Sequence, residues 1–154
     1  MKFLPAKVSV FREFVLAEMK SAVTALSFDA RTGTLHKLQT ISSLPPDFKG
    51  HNDSAEIRVS PSGKFVYASN RGSDTIAVFS IAGDGKLTLV EYAPAQGKTP
   101  RGFALDPSGA YLFAANQESN NIVVFRVNTK SGKLNPAGQV LEAPAPVDVK
   151  FVKE

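Results

Sequence analysis

The sequence contains no cysteine and no tryptophan among its 154 residues, and it has only two histidines. Without cysteine there is no disulfide framework, no thiolate metal site and no cysteine nucleophile. The histidines, His36 and His51, stand far apart in the chain and do not form a spaced ligand pair. The sequence therefore predicts neither a metal nor any other cofactor.

Long apolar runs are also missing. No stretch approaches the roughly 18 apolar residues that a spanning helix needs, so we expect no membrane association. Near the start, Pro5 and Lys7 interrupt the chain before the apolar core of a signal peptide can build. The expectation is a cytoplasmic protein.

The charge pattern argues against nucleic acid as a partner. Eighteen Lys and Arg against 14 Asp and Glu give a net charge of +4, which favours anionic partners in general. The basic residues are scattered without a run or stripe, and most of the 11 Phe occupy alternating apolar positions typical of a core. A small anionic ligand fits this pattern better than a nucleic acid.

An internal repeat determines the predicted architecture. Residues 57–70 (IRVSPSGKFVYASN) return as residues 103–116 (FALDPSGAYLFAAN), and a weaker copy lies upstream around residues 14–35. Each unit reads as short alternating strands joined by turns that contain Gly, with Ser-Pro-Ser-Gly or Asp-Pro-Ser-Gly after the first strand. A period of 40–50 residues holding four short strands is the signature of a propeller blade.

The sequence thus predicts an all-β chain, a partial β-propeller of four-stranded antiparallel blades with about three blades present. We expect blade 1 at about 8–43, an inserted loop at 44–53, blade 2 at about 54–95 and blade 3 at about 100–142. Residues 146–152 are predicted to be the inner strand of a further blade. Closed propellers have about four to eight blades, so we expect either self-association or a missing N-terminal half that completes the ring.

Several motifs resemble the lactonase-type seven-bladed propeller family, which includes 6-phosphogluconolactonases and carboxymuconate-cyclising enzymes. They are residues 38–45 (LQTISSLP), 54–72 (SAEIRVSPSGKFVYASNRG), 97–109 (GKTPRGFALDPSG) and 115–119 (ANQES), in the family's order and spacing. The resemblance runs from about residue 14 to residue 152 and covers the C-terminal third to half of a family member. Residues 1–13 lack the family's His-Pro-(Asn/Asp)-Gly turn, and Ser73 stands where many relatives carry His.

This resemblance implies hydrolysis of a small anionic sugar lactone. Such a reaction needs a base that activates water and a cation that stabilises the developing oxyanion. Glu56, which begins an inner strand, is the candidate base, and Arg71 and Arg101 are candidates for carboxylate, phosphate or oxyanion contacts. The repeat places Glu18, Arg71 and Gln117 at equivalent positions on one rim.

Two further residues complete the candidate site, and simpler structural roles stay open for all of its members. His51 in the inserted loop is a candidate cap over the pocket, and Asn70 is a further candidate contact. Glu56 and Arg101 would equally pair across neighbouring blades, and His51 would equally be an exposed loop residue. Asn70 and Asn116 are also typical of turn residues whose side chains bond the backbone.

The leading hypothesis for function is a lactone hydrolase of the 6-phosphogluconolactonase type. A non-catalytic binding or scaffold propeller of the Tyr-Val-Thr-Asn repeat type is the alternative, because residues 65–70 and 75–81 resemble its strands as well. A fragment with no independent role is the third possibility. A serine hydrolase triad is not favoured, since no Gly-x-Ser-x-Gly elbow is present.

Overall fold

The computed structural model describes residues 10–153, which form eleven β-strands and one short 3-10 turn. The strands are β1 (Val10–Ala17), β2 (Ala22–Asp29), β3 (Thr34–Ser42), β4 (Ser54–Val59), β5 (Phe65–Asn70), β6 (Thr75–Ile81), β7 (Leu87–Pro94), β8 (Pro100–Leu105), β9 (Tyr111–Asn116), β10 (Asn121–Val127) and β11 (Leu134–Glu142). The turn (Glu18–Lys20) connects β1 to β2. The all-β prediction is confirmed.

The strands form three separate antiparallel sheets in which neighbours in sequence are neighbours in space. Blade 1 contains β1-β2-β3, blade 2 contains β4-β5-β6-β7, and blade 3 contains β8-β9-β10-β11. The sheets do not close into a barrel, and they stack face against face as in an arc of a propeller. The predicted blade 1 begins at residue 8, and residues 8 and 9 lie outside the described range.

Turn chemistry after each inner strand matches the repeated Pro-Ser-Gly motif. Gly63 and Gly109 have φ values of 68° and 72°, a conformation that favours glycine. The amide of Gly63 donates to the carbonyl of Ser60 at 2.8 Å, and that of Gly109 donates to the carbonyl of Asp106 at 2.9 Å. The two turns therefore have the same backbone conformation and the same hydrogen bond.

Blade 2 is the centre of the core because both of its faces are covered. Every residue of β5 is buried. Phe65 and Tyr67 project into the cluster shared with blade 3, and Val66 and Ala68 project into the cluster shared with blade 1. Burial raises the pKa of the Tyr67 hydroxyl far above its usual range, and that hydroxyl donates to the carbonyl of Gly132 at 2.9 Å. Because both faces of the strand are covered, consecutive residues from Phe65 to Ala68 are apolar or aromatic.

Polar side chains link the outer strands of adjacent blades at equivalent positions. Gln39 of blade 1 donates to the carbonyl of Leu87 at 3.0 Å and accepts from its amide at 2.7 Å. Glu91 of blade 2 accepts from the amide of Leu134 at 2.7 Å. In each pair, a side chain of one outer strand bonds the first residue of the next blade's outer strand. We call these contacts outer-strand links.

Two buried asparagines hold the connections between blades. Asn70 Oδ1 accepts from the hydroxyls of Ser54 and Ser43 at 2.8 and 3.0 Å, and Asn70 Nδ2 donates to the carbonyl of Ser43 at 2.6 Å. Asn116 Nδ2 makes the corresponding bond to the carbonyl of Ala95 at 3.1 Å. Since Ala95 stands where Ser43 does, Asn116 Oδ1 is buried without a donor among the described residues.

The tail segment, which we define as residues 146–152, differs from its prediction. It was expected to be an inner strand, yet no strand is formed there. A β-strand needs a neighbour that shares its backbone hydrogen bonds, and none lies beside the tail segment in the described chain. The segment nevertheless packs closely on β8, because a Cβ on Gly102 would come within 2.2 Å of the Val147 carbonyl oxygen.

Across residues 10–153, no helix has the length and apolar character needed to cross a membrane. The same residues contain no group of three or more His, Asp and Glu side chains placed to hold a metal ion.

The turn after β8 generates a prediction about pH. Burial raises the pKa of Asp106, but hydrogen bonds from Ser108, Tyr111 and Ala110 outweigh it and hold the pKa below the ordinary value of 3.8. We expect Asp106→Ala to lower the free energy of unfolding by about 1 kcal/mol at neutral pH. Because the native carboxylate must be charged to contribute, this deficit shrinks as the pH falls below 3.8 and through the folded pKa.

The matched control is Asp106→Ser, which copies the preceding blade. There the hydroxyl of Ser60 accepts from the amides of Lys64 and Phe65 at 3.2 and 3.1 Å. Denaturant titrations between pH 2 and 7 should give Asp106→Ser nearly the wild-type stability. A deficit for Asp106→Ala that is independent of pH contradicts the assignment.

The unpaired oxygen of Asn116 generates a second prediction. Ala95→Ser places a hydroxyl where Ser43 has one and should raise the free energy of unfolding by about 1 kcal/mol. Ser43→Ala removes that donor from Asn70 and should lower it by a similar amount. Thermal unfolding monitored by circular dichroism measures both, and a loss of stability in Ala95→Ser would contradict this account of the buried amides.

Candidate functional site

The predicted site residues Glu56 and Arg101 lie near the start of the inner strands of their blades. β1, β4 and β8 are edge strands of their sheets, and β4 packs against both of the others. Glu56 lies on β4 and Arg101 on β8, so they occupy neighbouring inner strands. Arg71 follows β5 directly, in the turn that leads to β6 within blade 2.

Glu56 is held by its own strand. One carboxylate oxygen accepts from the amide of Ile57 at 3.1 Å, and the other lies 3.3 Å from Nη2 of Arg58. The backbone amide of Glu56 donates to the hydroxyl of Ser69 at 3.1 Å, at the bulge where β4 departs from regular pairing with β5. The side chain remains 23% exposed. Glu56 is thus fixed in direction and still accessible.

Arg71 is the centre of a charged cluster on the rim. Its Nη2 forms an ion pair with Glu18 and lies 3.8 Å from Oδ2 of Asp53. The structure therefore brings together Glu18 and Arg71, two of the three residues that the repeat places on a common rim. Two carboxylates from blade 1 and from the inserted loop fix the guanidinium, which is 24% exposed.

The inserted loop reaches this cluster through His51 and Asp53. His51 Nε2 lies 2.9 Å from Oδ2 of Asp53, and the imidazole is 85% exposed. The loop is fixed beneath it by Asn52, whose Oδ1 accepts from the amides of Gly72 and Ser73 at 2.8 and 3.1 Å. His51 and Arg71 are thus neighbours through their shared contact with Asp53, and the role of His51 as a cap stays a prediction.

Gly72 is required for this approach of the loop. A Cβ on Gly72 would lie 2.1 Å from the carbonyl oxygen of His51. The hydroxyl of Ser73 lies 2.8 Å from that of Thr75 and so contributes to the end of the turn.

The remaining predicted residues are placed differently. Arg101 is exposed and forms no ion pair with any residue in the range 10–153. Gln117 is half-buried, and its amide donates to the carbonyl of Thr99 at 2.9 Å. Asn70 has no exposed surface, and its amide group is occupied by protein partners. The ligand contact predicted for Asn70 stays a prediction, and in this structure its amide group bonds Ser43 and Ser54.

Two charged pairs on the inner edge were not predicted from the sequence. Arg58 pairs with Glu56, and Lys150 pairs with Asp148 at 2.9 Å in the tail segment. The hydrogen bond from Lys150 is the main cause that lowers the pKa of Asp148 below its usual value. Glu56-x-Arg58 and Asp148-x-Lys150 are separated by two repeat lengths, and that spacing is the signal that could have identified them.

These pairs border an open cavity of about 250 Å³ between β4, β8 and the tail segment. Arg58 and Lys150 line it together with Asp106 and apolar residues. Two carboxylates, on β4 and in the tail segment, therefore lie two repeats apart, each beside a cation two residues later in the chain.

Comparison with known proteins identifies the family. Residues 7–151 match the family model described as "Lactonase, 7-bladed beta-propeller". The chain is 35% identical to 6-phosphogluconolactonase of Bacillus subtilis over 142 residues, which are 92% of this chain and 41% of that protein. It is 32% identical to 6-phosphogluconolactonase of Pectobacterium carotovorum over 90% of this chain and 42% of that protein.

Solved structures agree with the sequence matches. A Lactobacillus plantarum protein superposes with a TM-score of 0.88 at 36% identity, covering 92% of this chain and 42% of that one. The periplasmic gluconolactonase of Pseudomonas aeruginosa superposes with a TM-score of 0.85 at 30% identity, covering 91% and 39% respectively.

The chain spans about two fifths of the length of these curated relatives. Because the family model matches nearly the whole chain and the repeat, the blades and the superpositions agree with it, the chain belongs to the lactonase family of seven-bladed β-propellers.

Proposed function

We propose that this chain provides part of a lactone hydrolase of the 6-phosphogluconolactonase type, which converts 6-phosphogluconolactone and water to 6-phosphogluconate in the oxidative pentose phosphate route. The observation that carries the proposal is the match to curated 6-phosphogluconolactonases along nine tenths of the chain. In this proposal the protein acts in the cytoplasm. Its site uses no metal or other cofactor.

In this proposal Glu56 is the general base. Hydrolysis of a lactone requires a proton acceptor near the attacking water. Glu56 is suited to it because the Ile57 amide and Arg58 fix the carboxylate while part of it stays exposed. Water adds to the lactone carbonyl carbon as Glu56 takes its proton, and the ring C–O bond then breaks with return of a proton to the leaving oxygen.

Arg71 and Arg101 supply the positive charges. Arg71 is oriented by Glu18 and Asp53 and is assigned to the oxyanion that develops on the carbonyl oxygen, because a fixed cation stabilises that charge without reorganising. Arg101 has no carboxylate partner in residues 10–153 and is assigned to the substrate's phosphate. His51 covers the ligand, and Gln117 lies on the same rim.

Replacing the base tests the reaction directly. Glu56→Gln keeps the shape of the side chain and removes its proton acceptor, so kcat/KM for the phosphorylated lactone should fall by about 100-fold or more. Glu142→Gln, an exposed carboxylate at the end of β11, is the matched control and should match the wild type. The readout is acid release in weakly buffered solution, corrected for spontaneous hydrolysis.

Two outcomes of that assay would count against the proposal. If the wild-type chain hydrolyses the lactone no faster than buffer does, the chain is not itself a hydrolase, and the binding-propeller alternative gains support. If Glu56→Gln retains the wild-type rate, the proposal of lactone hydrolysis is retained but a group other than Glu56 is the general base.

Arg101 generates a prediction about substrate choice. Arg101→Gln removes a charge-assisted contact and should raise KM for the phosphorylated lactone by about 10- to 100-fold. The unphosphorylated gluconolactone should be hydrolysed with an unchanged KM. Lys130→Gln, which removes a charge from the exposed turn before β11, is the control. Equal effects of Arg101→Gln on the two lactones would contradict a role in phosphate binding.

A further inference from the structure

The turns after β2, β4, β6, β8 and β10 form one end of the arc, which we call the turn end. Within each blade, the alternation of antiparallel strands places these turns on the same side. The turns also touch across blades, because a Cβ on Gly109 would lie 3.1 Å from Pro61. Glu18 and Arg71 lie at the opposite end, in the turns after β1 and β5.

The open cavity of about 250 Å³ between β4, β8 and the tail segment lies at the turn end. It is bounded by the last residues of β4 and β8 and by residues 149–151. The six residues of β4 span roughly 17 Å from the rim to this cavity. The cavity is therefore separate from the rim, and Glu56 is not among the residues that line it.

Most of the cavity wall is apolar. Its apolar residues include Val59, Leu105 and Phe151, and Arg58 and Lys150 add two cations. Pockets that bind small organic molecules have this composition, an apolar wall with a few polar groups that fix the orientation of the ligand.

Arg58 has unused hydrogen-bond donors. A guanidinium carries five N–H groups, yet within residues 10–153 the side chain of Arg58 makes one hydrogen bond, from Nη2 to Glu56 at 3.3 Å. Its Nε is buried and has no partner in that range. After the hydrogen bond from Lys150, the charge of Arg58 also contributes to the lowered pKa of Asp148, so Arg58 faces the tail segment. An acceptor in the cavity would stabilise this side chain.

The carboxylate that lines the cavity is already engaged. Asp106 is the one acidic side chain among the described lining residues. Its two oxygens accept from the amides of Ser108 and Tyr111 at 3.1 and 2.8 Å. Lys150 pairs with Asp148 at 2.9 Å, but an ammonium has three donors and the side chain is 66% exposed. The polar side chains of the cavity therefore favour an anion over a cation.

The charge of the turn end favours the same kind of ligand. Its turns carry five exposed cations, which are Arg31, Lys64, Lys86, Lys130 and Lys133. Three carboxylates stand against them. Asp29 and Asp106 accept from amides of their own turns, and Asp84 pairs with Lys86 at 3.7 Å. An excess of positive charge around an opening raises the local concentration of anions.

The size of the cavity suits one small molecule. Because a water molecule occupies about 30 Å³ in the liquid, 250 Å³ corresponds to about eight waters. That volume accommodates a small organic acid.

We propose that the turn-end cavity is a second ligand site, which binds a small organic acid with a compact apolar body. The carboxylate of the acid pairs with Arg58 and Lys150, since a guanidinium matches a carboxylate with two parallel hydrogen bonds. The apolar part of the acid lies against Val59, Leu105 and Phe151. This site is independent of the proposed hydrolysis.

Benzoate is the probe, because it combines one carboxylate with a compact ring. Calorimetric titration of the 154-residue chain should show saturable one-to-one binding. Lys150→Gln and Arg58→Gln should each weaken it by about 10-fold or more, because each removes a charged hydrogen-bond donor. Lys98→Gln removes the same charge from the exposed connection between β7 and β8 and should bind like the wild type.

Folding is checked for each variant by circular dichroism. Lys150 lies outside every strand, so Lys150→Gln tests the site even where Arg58→Gln disturbs β4.

Two further ligands separate the contributions of charge and apolar contact. Benzamide has the ring without the charge, and inorganic phosphate has the charge without the ring. Each should bind at least about 10-fold more weakly than benzoate.

Several results would overturn the proposal: no saturable binding of benzoate, equal binding of benzamide, or equal weakening by Lys98→Gln and Lys150→Gln. Inorganic phosphate or 6-phosphogluconate that binds as tightly as benzoate would also overturn it, because the cavity would then take a polar anion. A chain that binds benzoate but hydrolyses no lactone would retain this site and reject the proposed function, and the reverse result would reject the second site alone.

Discussion

Stacking of one sheet face on another is the interaction on which the rest of this structure depends. A strand buried on both faces has no polar side to present, and β5 is apolar from Phe65 to Ala68 because blade 1 covers one face and blade 3 the other. Outside blade 2 this condition holds on one side only. The exposed Phe11 and Leu141 are the consequence, because the same strand pattern is present at the ends without a covering neighbour.

Buried polar side chains provide the hydrogen bonds that apolar stacking between blades does not. Apolar contacts are not directional, so they do not by themselves fix the position of one sheet on the next. The connections between sheets would also leave backbone groups unpaired in the interior. Asn70 satisfies the connection between blades 1 and 2, and Gln39 joins their outer strands. The same scaffold positions the candidate site, since Asn52 fixes the inserted loop next to Arg71 and Ser69 holds the amide of Glu56.

The fold was predictable because its information is periodic. The bounds of β5 and β6 were predicted to the residue from the alternation of apolar positions, and the φ values of Gly63 and Gly109 follow from the Pro-Ser-Gly turns. The bulge in β4 carries no such signal, and the strand begins two residues earlier than its apolar pattern suggests. The tail segment was predicted as a strand because its residues suit one, although pairing depends on a partner that the pattern does not contain.

The contacts within the candidate site were predictable only where the repeat determines them. Repeat register alone placed Glu18 and Arg71 on one rim, where they pair. Periodicity does not reveal non-repeated contacts, so Asp53, which bridges Arg71 and His51 from a loop that occurs once, was missed. Asn70 was included because it ends the strand that precedes Arg71, and its complete burial depends on packing between blades that a single sequence does not specify.

Amide hydrogen exchange along the chain tests most directly whether stacking on both faces is the interaction on which the structure depends. The account predicts the slowest exchange in β5, because blades 1 and 3 cover both of its faces, and faster exchange in β1, which is covered on one face only. Exchange in β5 as fast as in β1 would contradict it.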